Sequence, residues 1–163
     1  MKTILVMAAL SASVLMSLAT PLFAATCTAS ASGVMLGTYT PNQRTPADSA
    51  GSIVVTCAKG ALDALPMTVN YSLDISIGSS TGYSPREMTS GVNRLRYNLY
   101  RDATRISIWG DGSGGTSAVA GALAIQPSPG SASFTHTLYG RIFASQNAVP
   151  GSYADTVLVT VSY

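Results

Sequence analysis

Charge is scarce in this chain, and histidine scarcer. Lys and Arg number nine, Asp and Glu seven, and His136 is the only histidine. So even a balance leaves no basic footprint for nucleic acid or for an acidic membrane surface. Arg94, Arg96, Arg101 and Arg105 gather in sequence, but Glu87 and Asp102 lie close enough to offset them, as on a solvated strand face. The two cysteines and one histidine are too few for a zinc ligand set. Asp63, Asp74, Glu87, Asp102, Asp111 and Asp155 stand singly, without the pairing or regular spacing of glycosidase or calcium sites. No metal and no cofactor is expected.

Nucleotide and hydrolase readings fail on context. Gly110-Asp111-Gly112-Ser113-Gly114-Gly115 matches G-x-G-x-x-G in form, but no acid occurs between Asp111 and Asp155 to hold a ribose. It reads as a glycine turn after Trp109. His136 lies in FTHTLYGR, an alternating stretch, and no serine stands in a nucleophile-elbow context. Asn70-Tyr71-Ser72 matches a glycosylation sequon, a pattern common by chance. The chain is not expected to be an enzyme.

The one long apolar run, Ile4 to Ala19, is about sixteen residues, short of the roughly twenty that span a bilayer. With Lys2 ahead of it and Pro21-Leu22-Phe23-Ala24-Ala25 behind, it reads as a secretory signal peptide. Residues 1–24 are the expected signal, with cleavage after Ala24 or Ala25, and 25–163 form one domain. An even pair of cysteines in an exported chain is read as a disulfide, Cys27 to Cys57. The loop it closes is about thirty residues, worth about 3–4 kcal/mol in the chain-entropy model.

What the chain has in quantity is period-two alternation. It runs through 53–57, 67–77, 95–99, 106–109, 134–142 and 156–163, with Gly, Pro, Ser and Asn turns between, and Val34-Met35-Leu36 adds a short apolar piece. The pattern predicts an all-β antiparallel sandwich. The stretch 117–125, SAVAGALAI, resists it. Gly121 weakens a helix there, and the segment is read as a long loop carrying at most one edge strand. If exposed, Ala118, Val119, Leu123 and Ile125 form a small apolar contact surface.

The ordered motifs resemble the spore coat protein U domain family, which includes subunits of archaic (Csu-type) chaperone–usher pili. The resemblance spans the mature chain. It rests on Cys27, Gly33-Val34, Gly37-Thr38-Tyr39, Pro41 and Gly51 to Cys57; on Arg86 and Met88; on Leu95-Arg96-Tyr97-Asn98-Leu99-Tyr100-Arg101-Asp102; on Ile108-Trp109-Gly110-Asp111-Gly112; on Tyr139-Gly140-Arg141-Ile142 and Gln146; and on Pro150-Gly151-Ser152-Tyr153-Ala154-Asp155-Thr156.

The resemblance implies an immunoglobulin-like sandwich lacking its G strand. A periplasmic chaperone lends a strand to the groove, and at an outer-membrane usher the next subunit's N-terminal extension replaces it. Main-chain hydrogen bonds supply affinity and alternate side chains supply register. The final strand then borders the groove, with Val157, Val159 and Val161 on its inner face. Cleavage at Ala24 or Ala25 leaves few residues ahead of Cys27 to donate. The expectation is therefore a subunit that accepts a strand without passing one on, at a fibre tip and active in adhesion and biofilm formation. Two alternatives stand: an ordinary fibre subunit with a different start, and a secreted coat or matrix protein that does not polymerise by strand exchange.

Overall fold

The computed structural model describes residues 25–60, 64–127 and 129–163. The expected signal peptide, 1–24, lies outside them, as does Asp63. Eight strands run in chain order: β1 (Thr26–Ala31), β2 (Ala47–Ala58), β3 (Met67–Ile75), β4 (Arg86–Ser90), β5 (Asn93–Tyr100), β6 (Val119–Ile125), β7 (Ser131–Ile142) and β8 (Val159–Ser162). They form a five-stranded sheet ordered β1-β2-β7-β5-β4 and a three-stranded sheet ordered β6-β3-β8. Every strand pairing is antiparallel. No helix long and apolar enough to cross a membrane occurs among the described residues.

Alternation builds the interior. Ile53, Val55 and Cys57 of β2, Val69, Tyr71, Leu73 and Ile75 of β3, and Leu95, Tyr97 and Leu99 of β5 are buried in one cluster with Trp109 at its side. Each such aliphatic side chain stabilises the fold by about 1.5–3 kcal/mol on burial. Cys27 and Cys57 sit directly opposite in the β1–β2 register and are bonded, with Cα atoms 4.1 Å apart.

Three expectations need correction. The segment 117–125 is mainly strand: β6 pairs with β3 along its whole length, and Leu123 and Ile125 are buried while Val119 is half-buried. Those side chains are core, so they form no exposed apolar surface. Alanine on alternate positions hid the period, because alanine fits either face. Gly121 serves close packing: a Cβ there would collide with the Tyr71 ring. Second, β3 stops at Ile75 rather than running to residue 77. Third, 106–109 makes only isolated bridges, and Ile106 points outward, 79% exposed.

Between the alternating runs 67–77 and 95–99 the structure adds a strand, β4. β4 is five residues long and carries one charged residue inward, Arg86, where the sequence pattern shows no apolar alternation.

His136 ties the two sheets. It lies on β7 opposite Ile53, and its Nε2 is 2.8 Å from the Tyr71 hydroxyl of β3, with Trp109 and Phe134 edge-on to the ring. Burial holds its pKa below the ordinary 6.5. The unfolded chain therefore takes up the proton first, and stability present above about pH 6.5 is lost as pH falls through the folded-state value. Urea titrations from about pH 7 to pH 5 should show a falling midpoint. His136→Gln should flatten that step and leave the loss at lower pH. That later loss belongs to Asp48, Asp102 and Asp111, whose pKa values the Arg141 hydrogen bond, the Thr104 hydroxyl and the Ser113 hydroxyl, respectively, lower most.

Candidate functional site: an open sheet edge and its polar frame

A buried arginine organises one end of the sandwich. Arg86 is fully buried, and its guanidinium donates to the Ser76 carbonyl from Nε (3.1 Å) and Nη2 (3.0 Å). Nη2 also reaches the Trp109 carbonyl at 2.8 Å, and Nη1 the Asn98 Oδ1 at 2.8 Å. The Tyr83 ring lies 4.9 Å from the guanidinium. Burial lowers the arginine's pKa, and the nearby Tyr97, Tyr83, Asp155 and Asp111 act against that shift. Asn98 relays the network by donating to the Tyr83 carbonyl at 2.8 Å. Trp109 donates its Nε1–H to the Leu73 carbonyl at 3.0 Å. The end of β3 is therefore held by side chains from β4, β5 and the loop after β5.

Asp155 fixes the chain just ahead of β8. Its Oδ2 accepts from the Tyr97 hydroxyl at 2.6 Å, and its Oδ1 accepts from the Ser79 and Thr156 amides at 2.9 and 2.8 Å. Gly78, at φ 67°, lets the turn press against that carboxylate, where any Cβ would overlap it. Burial, then the Asp155 hydrogen bond, raises the Tyr97 pKa. Ser76 locks on next: its amide donates to the Leu158 carbonyl at 2.9 Å, and its hydroxyl accepts from the Leu158 amide at 2.8 Å.

Of the residues singled out in sequence, Arg86, Tyr97, Asn98, Trp109 and Asp155 come together in this frame. Met88, Leu99 and Tyr100 are buried beside it. Gly110 packs on Thr116, where a Cβ would collide. Asp111 caps its own turn by accepting from the Ser113 amide at 2.9 Å, with Gly112 at φ 91°. Tyr139 stacks under Arg105 at 5.7 Å, Gly151 packs on Ser90, and Tyr153 donates to the Val149 carbonyl at 2.8 Å. These are not in the frame. Ser76 and Ser79 belong to it and were missed, because a serine in a Ser-rich turn carries no distinguishing signal.

Beyond the frame, the small sheet opens. β8 pairs with β3 on one side only, and no strand hydrogen-bonds to its other side among the described residues. Val157, Val159 and Val161 are half-buried against the core, while Leu158 is 67% exposed. A second extended run, 33–38, lies over the inner face of the large sheet. Val34 and Leu36 pack on the bare backbone of Gly140, at 2.7 and 3.0 Å from where a Cβ would stand, and Met35 between them is 83% exposed.

This run starts where the Ser32 amide meets the Ser52 carbonyl. It ends where the Tyr39 hydroxyl accepts from the Gln146 amide at 2.8 Å. Gln146 in turn clasps the Arg96 backbone, accepting from its amide at 2.7 Å and donating to its carbonyl at 2.9 Å. Run 33–38 leaves β1 toward the 143–146 turn, whereas 157–162 leaves the Tyr97 end and arrives beside β1. The two cross the large sheet in opposite directions, and neither makes a backbone hydrogen bond to the other. Val34 and Leu36 were legible as an apolar pair, but their packing on Gly140 was not.

Unpaired backbone groups beside half-buried apolar side chains form a template for an extended peptide. The described residues contain no cluster of three His, Cys, Asp or Glu that could hold a metal.

The sequence model of the Spore Coat Protein U domain matches residues 12–160. The chain belongs to the Spore Coat Protein U domain family. A relative in that family, Protein U of Myxococcus xanthus, is 30% identical over 134 residues, covering 78% of this chain and 69% of that protein. The fold is similar to that of a chain in the crystal structure of the CsuC-CsuE chaperone-tip adhesion subunit pre-assembly complex from archaic chaperone-usher Csu pili of Acinetobacter baumannii. That match has a TM-score of 0.55 at 19% identity and covers 86% of this chain. The chain spans 40% of that solved chain, and the likeness is one of fold.

Five of the residues singled out in sequence thus build the frame that holds β3 and β8 in place: Arg86, Tyr97, Asn98, Trp109 and Asp155. Arg86→Met should leave the carbonyls of Ser76 and Trp109 without their donor and lower stability by about 3 kcal/mol. Tyr97→Phe, which removes one hydrogen bond to a carboxylate, should cost about 1.5–3 kcal/mol. Urea unfolding followed by Trp109 fluorescence reads both, and a smaller loss for Arg86→Met than for Tyr97→Phe would contradict the central place given to Arg86.

Proposed function

We propose that this protein is a structural subunit of an archaic chaperone–usher pilus, completed by a strand that another polypeptide lays between 33–38 and β8. The observation that carries the reading is the open edge of β8, with Val157, Val159 and Val161 half-buried against the core beside it. Family membership and the fold shared with a Csu pilus assembly complex support it. In this reading a periplasmic chaperone supplies the first strand. A neighbouring subunit replaces it at an outer-membrane usher, and the product stands on the cell surface. The role is structural, and no catalytic chemistry enters it.

The reading extends to place in the fibre. β1 takes the chain into the sheet from Thr26 onward. With cleavage at Ala24 or Ala25, little remains to donate, which suits a terminal subunit acting in adhesion and biofilm formation. Mass spectrometry of the mature N-terminus tests this. A start more than ten or so residues ahead of Cys27 provides a donor segment and moves the subunit into the shaft.

The family's name favours a second reading, that of a coat or extracellular-matrix protein that does not exchange strands. One experiment separates the two. A synthetic peptide of about ten residues with alternating apolar side chains should bind the purified chain and raise its melting temperature. Val159→Asp, on the inner face, should weaken that binding about tenfold or more, while Leu158→Asp, facing outward, should leave it nearly unchanged. A chain that is monomeric and fully stable alone, with no response to peptide, would favour the coat or matrix protein.

A further inference from the structure

The sandwich has four sheet edges. β1 and β8 border the opening described above, and β4 is capped where Thr89 and Ala154 exchange backbone hydrogen bonds of 2.9 and 3.1 Å. The fourth is β6. Its seven residues, Val119 to Ile125, pair with β3 in unbroken register and make no backbone hydrogen bond on the other side among the described residues. An edge strand is ordinarily protected by a charge, a proline or a bulge. β6 has none of the three. The protection sits only at its ends, with Arg101 over the Ala118 carbonyl on one side and Pro127 and Pro129 beyond the other.

We propose that β6 pairs edge to edge with β6 of a second copy of this chain, antiparallel and about a two-fold axis at Ala122. The sequence of the strand is what selects a second copy as the occupant. About that axis Ala122 faces the second copy's Ala122, and Ala120 faces the second copy's Ala124 on the outer side. On the inner side Val119 meets Ile125 and Gly121 meets Leu123. Every opposed pair is apolar, and no like charge meets itself. The outward residues of β3 paired to these alanines, Thr68, Asn70 and Ser72, are uncharged as well. A strand with no charge and no polar side chain gives a chemically different partner little to read, but it matches its own copy. The product is a continuous six-stranded sheet across the two molecules, and the opening beside β8 stays free at each far edge.

Sedimentation equilibrium of the exported chain tests this without depending on the reading of the opening. The wild-type chain should dimerise with concentration. Ala122→Lys, which sets two ammonium groups against each other on the axis, should weaken the dimer about tenfold or more. Thr160→Lys, on β8, should leave it unchanged, and the opposite pattern would mean association through β8. A second arm maps the register. Residues directly opposite in an antiparallel pair stand close enough for a disulfide, so Ala122→Cys should oxidise to a covalent dimer while Ala120→Cys should not. A wild-type chain monomeric at every concentration, or equal cross-linking by the two cysteine variants, overturns the proposal.

Discussion

The Arg86 guanidinium is fully buried in the interior between the two sheets. Its charge is buried without a carboxylate in contact, so backbone carbonyls and one amide oxygen must serve as its solvent. Those acceptors come from β3's end, from the loop at Trp109 and from β5. Satisfying one side chain therefore places three separate stretches of chain. That explains where β3 stops: beyond Ile75 the Ser76 carbonyl is committed to the guanidinium, while its amide and hydroxyl go to Leu158. The arginine thereby sets the position from which β8 begins.

The second constraint is geometric. The large sheet is five strands wide and the small one three. Run 33–38 takes up part of the difference without joining a ladder, because Gly140 presents bare backbone to Val34 and Leu36. Half-buried valines facing a strip of unpaired backbone leave the core incomplete on that side. Hydrophobic burial and backbone pairing both favour insertion of an extended segment there. The opening and the frame are thus linked: the polar network positions β8, whose half-buried valines border the open edge.

Most strands were legible because their apolar residues alternate with polar ones, as in Val69, Tyr71, Leu73 and Ile75. The failures share a physical cause. In β6, alanine occupies the outward positions and masks the period. In β4, the inward residue is an arginine, which no hydrophobic pattern reports. For 106–109 the alternation was real, but the left-handed turn at Arg105 carries Ile106 outward and leaves single bridges instead of a ladder. The disulfide was legible from the cysteine count and the exported context, and the register places its two residues directly opposite. The half-buried valines of the last strand could be seen from their alternation, while the packing of Val34 and Leu36 on Gly140 could not. Their role depends on Gly140, more than a hundred residues away.

Composition and period-two patterning are local properties, so the fold class, the disulfide partners and the family could be read from the residues in order. Only the tertiary structure decided which residues meet. It brought Arg86 to Trp109 and Asp155 to Tyr97, laid Val34 on Gly140, and left β6 at a sheet edge. Those contacts join distant parts of the chain, and hydrogen-bond satisfaction in a buried site selects among them in ways no local pattern encodes.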